Sequence, residues 1–376
     1  MDFSFSEHQD AISKNTKAFA LVEIAPFQEK LENDNDFRQQ LFQKMAKKGL
    51  FLQTVSKEFG GYFSDTLSYL LALKEIAKID AGISVAMAVT NMVAELIAKE
   101  GSQQQKSHYL PLIANGKCVP LSFASTEKNA GSDAKNIETV AQYENDCIVL
   151  SGEKQFITNG DISGAILVFA KSSKGITAYL VDRDTKGLSV LKKERKLGLL
   201  SAHLVTLQFD QCKIPLNRQL GEEGQGFKIA LRALDSGRLG IAVQALGIAE
   251  AAYEAARTFA KQRVQFGHPI AAFQAISFKL ADMHVKLNAG FLLLSKAAWL
   301  KDKGEAFTLA ASEAKLFCTE AANEIAADAL QIHGGYGYTK DYPAERYFRD
   351  ARVTTLYEGT SEIQRLIISR AILEYS

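Results

Sequence analysis

The 376-residue sequence has few cysteines, and their spacing does not suggest a metal site. The four cysteines lie far apart, lack a CxxC spacing and have no histidine near them at ligand spacing: Cys118, Cys147, Cys212 and Cys318. This pattern indicates reduced cysteines that pack inside a cytosolic protein. We therefore expect neither a disulfide framework nor a structural metal site.

An excess of charge of one sign is also missing, because 44 lysines and arginines stand against 43 acidic residues. A nucleic-acid or membrane partner is therefore not expected. The N-terminal residues have neither the basic nor the apolar region of a signal peptide. We expect a cytoplasmic protein, or a mitochondrial-matrix protein if this is a processed eukaryotic form. The most apolar segment, residues 81–94, is too short to span a bilayer and predicts a buried helix.

The common nucleotide-binding motifs are absent as well. The sequence contains neither G-x-G-x-x-G after a strand nor G-x-x-x-x-G-K-[ST], so a Rossmann or P-loop site is disfavoured. Proline is scarce, with six in all and none between Pro215 and Pro269 or between Pro269 and Pro343. This scarcity permits helices well beyond average length in the C-terminal part.

The patterns that are present divide the chain into three parts. In residues 5–114, apolar residues recur at intervals of three to five, which predicts an all-helical domain. The last helix of this part is expected to start at Ser102 and to be followed by Pro111. After Gly116, short runs rich in β-branched and aromatic residues alternate with turn residues, which predicts an antiparallel sheet or barrel. From Gly226 the pattern is helical again and suits a four-helix bundle.

The predicted fold is therefore α+β, with an all-helical N-terminal domain, a central antiparallel β domain and a C-terminal four-helix bundle. The expected domains are residues 1–116, 117–222 and 223–376.

One loop between two helical patterns is a candidate for catalysis. In residues 356–361 (LYEGTS), Glu358 precedes Gly359, which lets the backbone approach a ligand closely. A carboxylate among aromatic and apolar neighbours can have its pKa raised toward neutrality and act as a base. For this stretch alone, a structural turn glutamate is the more common explanation.

Four other stretches carry individually weak signals. Residues 123–133 (FASTEKNAGSD) form either a ligand-binding hydroxyl-rich loop or a plain turn, and residues 156–160 (FITNG) suit ring stacking or a half-buried strand end. Arg263 within residues 263–267 (RVQFG) suits a phosphate. Residues 331–337 (QIHGGYG) suit a diphosphate or a helix stop. A lone histidine such as His333 is more often structural than catalytic.

In order and spacing, these stretches together resemble the acyl-CoA dehydrogenases, flavoproteins that convert acyl-CoA thioesters to trans-2-enoyl-CoA. The matching passages cover essentially the whole chain: residues 123–133, 154–160, 234–238, 244–249, 263–267, 331–338 and 357–365. The short-chain type and its bacterial relatives are the most similar branch, through residues 234–238 (LDSGR), 343–352 (PAERYFRDAR) and 357–365 (YEGTSEIQR).

The resemblance implies FAD as cofactor and Glu358 as the base that removes the α-proton, with the β-hydride passing to flavin N5. It also implies that the thioester carbonyl binds the backbone N–H of Glu358 and a flavin ribityl hydroxyl. The residues implied to contact FAD are Phe123, Ser125, Thr126, Gly131, Ser132, Phe156, Ile157, Thr158, Thr360 and Glu362, with Arg263, Phe266, Gln274, Gln331, Gly334 and Gly335 at the diphosphate and adenosine end across a subunit interface. The residues implied to contact acyl-CoA are Ser132, Asp235, Arg238 and Gly359.

Two departures from the family pattern accompany the match. Residues 128–129 (KN) replace the usual Pro-Gly, and Phe156 stands where many members have tryptophan. Gly237 occupies the position at which some branches place the base, so Glu358 is the only candidate.

The resemblance implies electron-transfer flavoprotein as the electron acceptor and a homotetramer built as a dimer of dimers. A short straight or branched acyl group is expected. An acyl-CoA oxidase, a dehydrogenase of carrier-protein-bound acyl groups and a flavin-binding relative without dehydrogenase activity remain alternatives.

Overall fold

A computed structural model describes residues 4–374 of the protein. Helices form the N-terminal part, as the periodicity predicts: α1 (Glu7–Glu23), α2 (Gln28–Asn33), α3 (Asn35–Lys47), α4 (Thr66–Ile79), α5 (Ala81–Glu100) and α6 (Gln103–Ala114). Side-chain caps fix where several of them begin; Ser6 and Ser102, for example, form capping boxes at α1 and α6. Pro111 lies inside α6 and does not follow it, which corrects the sequence expectation. Burial of Tyr109, Leu110 and Ile113 on both sides of the proline holds the helix together despite the lost backbone hydrogen bond.

Helix α5 is longer than the uncharged segment from which it was predicted. It has 20 residues and is apolar enough to cross a membrane by length and composition, yet 94% of its most apolar stretch is buried inside the protein. The helix is therefore part of the core, as predicted.

The central part is one sheet: β1 (Leu121–Ala124), β2 (Val140–Glu144), β3 (Cys147–Thr158), β4 (Ala165–Ser172), β5 (Gly175–Asp182), β6 (Leu188–Lys193), β7 (Leu204–Pro215) and β8 (Gln219–Leu220). The strand order is β6-β7-β3-β2-β4-β5-β8, and β1 pairs with β4. Most pairs are antiparallel, but β1 and β2 each run parallel to β4, so the sheet is mixed and the antiparallel prediction was wrong in this respect. A β2–β3 hairpin lies between β1 and β4 in the chain, so the β1–β4 pairing is not a hairpin and has no local sequence signal.

An irregularity near the end of β3 changes the direction of one side chain. The register between β3 and β7 shifts between Lys154 and Ile157, and Phe156 within the shift has a left-handed backbone, with φ of 60°. A bulge of this kind turns a side chain away from the regular alternation of a strand. The Phe156 ring accordingly lies at the surface, with 53% of the residue exposed.

The C-terminal part contains a short hairpin and long helices: α7 (Gly226–Gln262), β9 (Val264–Gln265), β10 (His268–Pro269), α8 (Gln274–Asp302), α9 (Thr308–His333), α10 (Ala344–Thr354) and α11 (Ser361–Ile372). The main core combines residues of both helical parts with one face of the sheet. A second cluster lies within the sheet itself. The α+β fold is confirmed. Because the main core is shared, the domain boundaries at 116 and 222 stay predictions, and their outer ends lie beyond the described residues.

Candidate active site

Glu358 lies in a tight bend between α10 and α11, as the sequence predicted. Both Glu358 and Gly359 have left-handed backbones, with φ of 53° and 85°. The Gly359 carbonyl accepts hydrogen bonds from Lys315 Nζ at 2.7 Å and from Gln364 Nε2 at 2.9 Å. Thr360 then caps α11 through the backbone N–H of Ile363. Directly after Glu358, the bend is thus held by contacts from α9 and α11.

The carboxylate of Glu358 is enclosed although the residue as a whole is partly exposed. Its Oε2 atom is buried and has no hydrogen-bond partner. Burial raises the pKa of Glu358 to about 7, and the nearby cations Arg238 and Lys315 oppose this rise. A carboxyl group with a free acceptor and a pKa near neutrality is suited to general base chemistry.

Helix α7 supplies the groups next to the carboxylate. Arg238 is buried and forms an ion pair with Asp235, which also accepts a hydrogen bond from Thr308 Oγ1 at 2.8 Å. Between the two lies Gly237, where a Cβ atom would come within 2.5 Å of Glu358 Oε2. The glycine predicted to rule out a base at this position therefore also makes the space for Glu358.

A small cavity opens beside Glu358 between α4, α5 and α7. Its volume is about 20 Å³, which is room for about one water molecule. Tyr69 from α4 and Gly240 from α7 line it. Its wall also includes Glu95, which pairs with Lys301 at 3.0 Å. Burial raises the pKa of Glu95, but Lys301 and Lys99 more than compensate and hold that pKa below its usual value.

The residues predicted to line the flavin ring lie where the ends of β1 and β3 meet. The backbone N–H of Gln155 donates to the Thr126 carbonyl at 2.8 Å, and Ser122 Oγ donates to the Thr158 carbonyl at 2.7 Å. Ser125 lies beside Thr126, and the exposed Phe156 ring lies next to Gln155. The structure therefore brings together both stretches: Phe123, Ser125, Thr126, Phe156, Ile157 and Thr158.

A buried ion pair anchors the loop that follows β1. Glu127 accepts hydrogen bonds from Lys154 Nζ at 2.6 Å and from the backbone N–H of Thr139 at 3.1 Å. Lys154 also donates to the Ser125 carbonyl at 3.1 Å. Beyond this anchor, Gly131 and its neighbour Ser132 are exposed, and the space at Gly131 is open.

The residues predicted for the diphosphate and adenosine end lie on an exposed surface. Arg263 ends α7 and places its guanidinium 5.6 Å from the centre of the Tyr336 ring. Phe266, at the turn between β9 and β10, is 91% exposed. The other predicted residues follow at the start of α8 and the end of α9: Gln274, Gln331, Gly334 and Gly335. Both glycines face open space.

The predicted site residues therefore form three groups. The first group lies where the ends of β1 and β3 meet. The second surrounds Glu358 and includes Asp235, Arg238 and Gly359. The third lies on the exposed surface around Arg263. Within residues 4–374, no hydrogen bond or ion pair joins one group to another. Glu362 is exposed in the first turn of α11, four residues after Glu358. The binding roles of these residues stay predictions.

Some residues of the site were not singled out from the sequence. They are Lys315, Gln364, Glu95, Lys301, Tyr69 and the Glu127–Lys154 pair. A usable signal exists for Lys315, because it is a charged residue within the small apolar run of α9 that includes Ala310, Ala311 and Ala314. Glu95 and Lys301 are 206 residues apart and have no local signal.

Comparison with known families covers nearly the whole chain. The models for the acyl-CoA dehydrogenase N-terminal, middle and C-terminal domains match residues 6–117, 122–212 and 224–373. An acyl-CoA dehydrogenase of Bacillus subtilis (strain 168) is 46% identical over 374 residues, covering 98% of each chain. A short-chain-specific acyl-CoA dehydrogenase of Clostridium acetobutylicum is 40% identical and covers 99% of this chain and 100% of its own.

Solved structures agree with these matches. Butyryl-CoA dehydrogenase from Megasphaera elsdenii superposes with a TM-score of 0.95 at 40% identity, covering 99% of this chain and 100% of that one. A chain solved in work on the electron-transferring flavoprotein of Acidaminococcus fermentans has the same TM-score, identity and coverage. An acyl-CoA dehydrogenase from Bacillus anthracis complexed with FAD has a TM-score of 0.95 at 31% identity, covering 99% of this chain and 68% of that one. The chain therefore belongs to the acyl-CoA dehydrogenase family.

Proposed function

We propose that the protein dehydrogenates a short-chain acyl-CoA thioester between its α and β carbons, with Glu358 as the base and FAD as the cofactor. The observation that carries the proposal is the Glu358 carboxylate itself. It is enclosed, has a free acceptor at Oε2 and is held in a constrained bend. Its raised pKa makes it a stronger base than an exposed carboxylate.

The backbone at Glu358 supports the same reaction. An α-proton can leave only if the negative charge that develops on the thioester oxygen is stabilised as it forms. The backbone N–H of Glu358 makes no hydrogen bond to any other residue between 4 and 374, so it is available to that oxygen. Glu358, with its left-handed backbone, would thus supply both groups: the N–H that binds the thioester oxygen and the carboxylate that accepts the α-proton. FAD, when bound, supplies the acceptor for the β-hydride.

The residues predicted to hold FAD fit such a group. Phe156 offers an exposed ring beside the hydroxyl-bearing ends of β1 and β3, which suits a planar ring system with polar edges. Gly334 and Gly335 have open space where a Cβ would stand, so a diphosphate can approach their backbone. Arg263 lies beside them, over Tyr336, and can bind phosphate oxygens.

The small cavity supports a short acyl group. At about 20 Å³ it has room for about one water molecule, so each further carbon of an acyl chain requires its walls to move apart. Tyr69 and the Glu95–Lys301 ion pair form part of its wall. Extending the cavity past the ion pair would separate two charged side chains that are each only 12% exposed. The short-chain specificity named for the Clostridium acetobutylicum relative supports the same choice.

The proposal includes electron-transfer flavoprotein as the electron acceptor and a dimer of dimers as the assembly. The similarity to the chain from the Acidaminococcus fermentans work supports the acceptor.

An exposed apolar stripe along α8 supports an assembly. Its members recur at every seventh position and are each more than half exposed: Phe278, Val285, Leu292 and Trp299. Such a stripe is typical of a helix surface that packs against another chain.

Anaerobic mixing of the FAD-loaded protein with acyl-CoA thioesters of increasing chain length tests the proposal. We expect the flavin absorbance to bleach with short acyl groups and not with long ones. Glu358→Gln should retain FAD but not bleach, because the amide cannot accept the proton. Glu305→Gln, at an exposed position between α8 and α9, should behave as the wild type.

Other outcomes separate the alternatives. A colourless protein that gains no flavin absorbance on reconstitution contradicts the FAD assignment, and normal bleaching by Glu358→Gln removes Glu358 as the base. Rapid peroxide formation in air indicates an oxidase. If only acyl groups on a carrier protein bleach the flavin, the substrate is a carrier-protein thioester and not an acyl-CoA.

A further inference from the structure

Lys315 is a buried lysine without a carboxylate partner. It lies in α9, its side chain is fully buried, and no ion pair of residues 4–374 includes it. The other fully buried lysine, Lys154, is paired with Glu127 at 2.6 Å. Burying an unpaired ammonium group is costly, so the position of Lys315 calls for a reason beyond packing.

The contact that Lys315 makes provides the reason. Its Nζ donates to the Gly359 carbonyl at 2.7 Å, which lies one residue after the base. A left-handed backbone is unfavourable for a glutamate, so the bend at Glu358 needs external contacts to persist. Gln364 supplies one such contact, but it belongs to α11, the helix that follows the bend directly. Lys315 is the contact that ties the bend to α9.

The charge of Lys315 acts on the same carboxylate. Glu358 is surrounded by two cations, and one of them, Arg238, is already paired with Asp235. Burial lowers the pKa of Lys315 to about 8, and the charge of Glu358 works against that fall. Arg238 of α7 lowers the pKa of Lys315 further, and the remaining charged groups near it, Glu320 on its own helix and Glu362 on α11, oppose the fall. Besides the two cations, two other titratable groups lie close enough to interact with the charge of Glu358. They are Tyr69 from α4 and Tyr357, which precedes Glu358 in the chain.

We infer that Lys315 is a positioning residue for the base: its ammonium fixes the Gly359 carbonyl, and its charge favours the ionised form of the nearby Glu358 carboxylate. The inference rests on the proposed role of Glu358 as the base. Both effects, however, can be measured without a substrate, because they concern the geometry and the titration of one carboxyl group.

Two substitutions separate the effects of charge and hydrogen bond. Lys315→Met removes both at similar length, whereas Lys315→Gln removes the charge and retains an N–H donor. Lys296→Met is the matched control, because it removes a lysine from the neighbouring helix α8 at a side chain that is 61% exposed. All three are prepared as FAD-loaded protein.

The first readout is the infrared carboxyl stretch of Glu358 as a function of pH. Subtracting the spectrum of the same protein carrying Glu358→Gln isolates this group. We expect its titration midpoint to rise by about one pH unit in both Lys315 variants, because a neighbouring cation is lost. Lys296→Met should leave the midpoint unchanged.

The second readout is the pH dependence of flavin reduction by a short acyl-CoA. The acid limb should move upward with the midpoint, so reduction at pH 7 should fall about fivefold for a one-unit shift. At high pH, Lys315→Gln should come closer to the wild-type rate than Lys315→Met. A purely structural role would instead lower FAD content and thermal stability and leave the midpoint in place.

Unchanged midpoints in both Lys315 variants overturn the inference. If Lys315→Met does not fold, Lys315→Gln decides; a crystal structure of the wild type in which the Gly359 carbonyl points away from Lys315 overturns the inference without either variant. If the midpoints shift but no acyl thioester reduces the flavin of the wild type, the inference about Lys315 stands and the proposed reaction is wrong.

Discussion

At the scale of single residues, burial and charge act on Glu358 in opposite directions. Burial favours the protonated carboxyl, and Arg238 and Lys315 favour the carboxylate. The outcome is a pKa of about 7, so both forms are populated near neutral pH. A carboxyl group in this state is suited to accepting a proton, and its ionised form carries a cost in folding stability.

That cost predicts a pH-dependent effect of Glu358→Gln on stability. A carboxyl group whose pKa is raised by folding favours the folded state while it is protonated. This contribution is fully present below the unfolded value of 4.5 and is lost as the pH rises through about 7. The amide stays neutral, so the variant should match the wild type at pH 4.5 and exceed it by at most about 3 kcal/mol at pH 8. Urea unfolding at both pH values measures the difference.

The same experiment has a clear negative result. Glu305→Gln, at an exposed site, should show no pH-dependent gain. If Glu358→Gln raises the free energy of unfolding equally at both pH values, folding does not shift the pKa of the Glu358 carboxyl group.

Gly237→Ala should displace the proposed base, Glu358, without weakening the fold. The added Cβ would lie 2.5 Å from Glu358 Oε2, which is the end of a side chain and can move aside. Alanine also favours a helix interior over glycine, so the free energy of unfolding should stay the same or rise by up to about 1 kcal/mol. A displaced base should slow flavin reduction by about 100-fold. Stopped-flow measurement of flavin reduction, with FAD content as the control, tests this prediction. A wild-type rate would show that the carboxylate keeps its position despite the added methyl group.

At the scale of elements, close contact between α4 and α7 depends on one glycine. A Cβ at Gly247 would lie 2.7 Å from Ala77 Cβ and 2.8 Å from the Lys74 carbonyl. Backbone atoms of a packed helix cannot move aside as a side chain can, so Gly247→Ala should destabilise the protein by about 1–3 kcal/mol.

Gly240→Ala, on the same helix, is the matched control for Gly247→Ala. Its Cβ would meet Ala88 Cβ at 3.5 Å, an ordinary contact. Helix propensity should then dominate and stabilise the protein by up to about 1 kcal/mol. Denaturant unfolding of both variants measures the contrast, and equal effects would contradict the tight α4–α7 contact.

The elements differ in how far the sequence predicts them. Helical periodicity is a local signal, so it located the long helices before and after the sheet. Pairing of β1 with β4 depends on contacts across the β2–β3 hairpin, and no local pattern specifies its direction. In the same way, burial of Leu110 and Ile113 overrides the local signal of Pro111 in α6.

The site shows the same division. Glu358 and Gly359 stand in a recognisable motif, so the sequence could single out Glu358 as the candidate base, and the structure places it in the predicted bend. Lys315 contacts the bend from 44 residues away, and that contact exists only once α9 packs against it. The left-handed backbone of Glu358 is likewise a property of the packed bend, since glutamate has no preference for that conformation.

At the scale of the whole molecule, buried polar contacts join the helical part to the sheet. Arg38 of α3 is fully buried and donates to the Ser201 carbonyl at 2.8 Å, and its guanidinium lies 2.6 Å from His203 Nε2. His203 in turn contacts Asp161 at 2.5 Å, three residues after Thr158. The strand end predicted to line the flavin is thus anchored to the first helical part, and the two parts act as one scaffold for the site.

The apolar stripe on α8 predicts how chains assemble. Leu292 lies within the stripe and is 51% exposed, so a charge there would be buried in a proposed dimer of dimers. Symmetry repeats each substitution at every equivalent contact, which multiplies its effect. The wild type should sediment with the mass of four chains, and Leu292→Glu should sediment as a smaller species with unchanged helix content.

Val22→Glu is the control, because it adds the same charge at a 65% exposed position on α1, outside the stripe. Sedimentation velocity of the three FAD-loaded proteins measures their masses. A wild type with the mass of one chain would contradict the assembly itself. A four-chain mass for Leu292→Glu would place the contact elsewhere on the surface, since a buried unpaired carboxylate at each copy of the stripe cannot be accommodated without separating the helices.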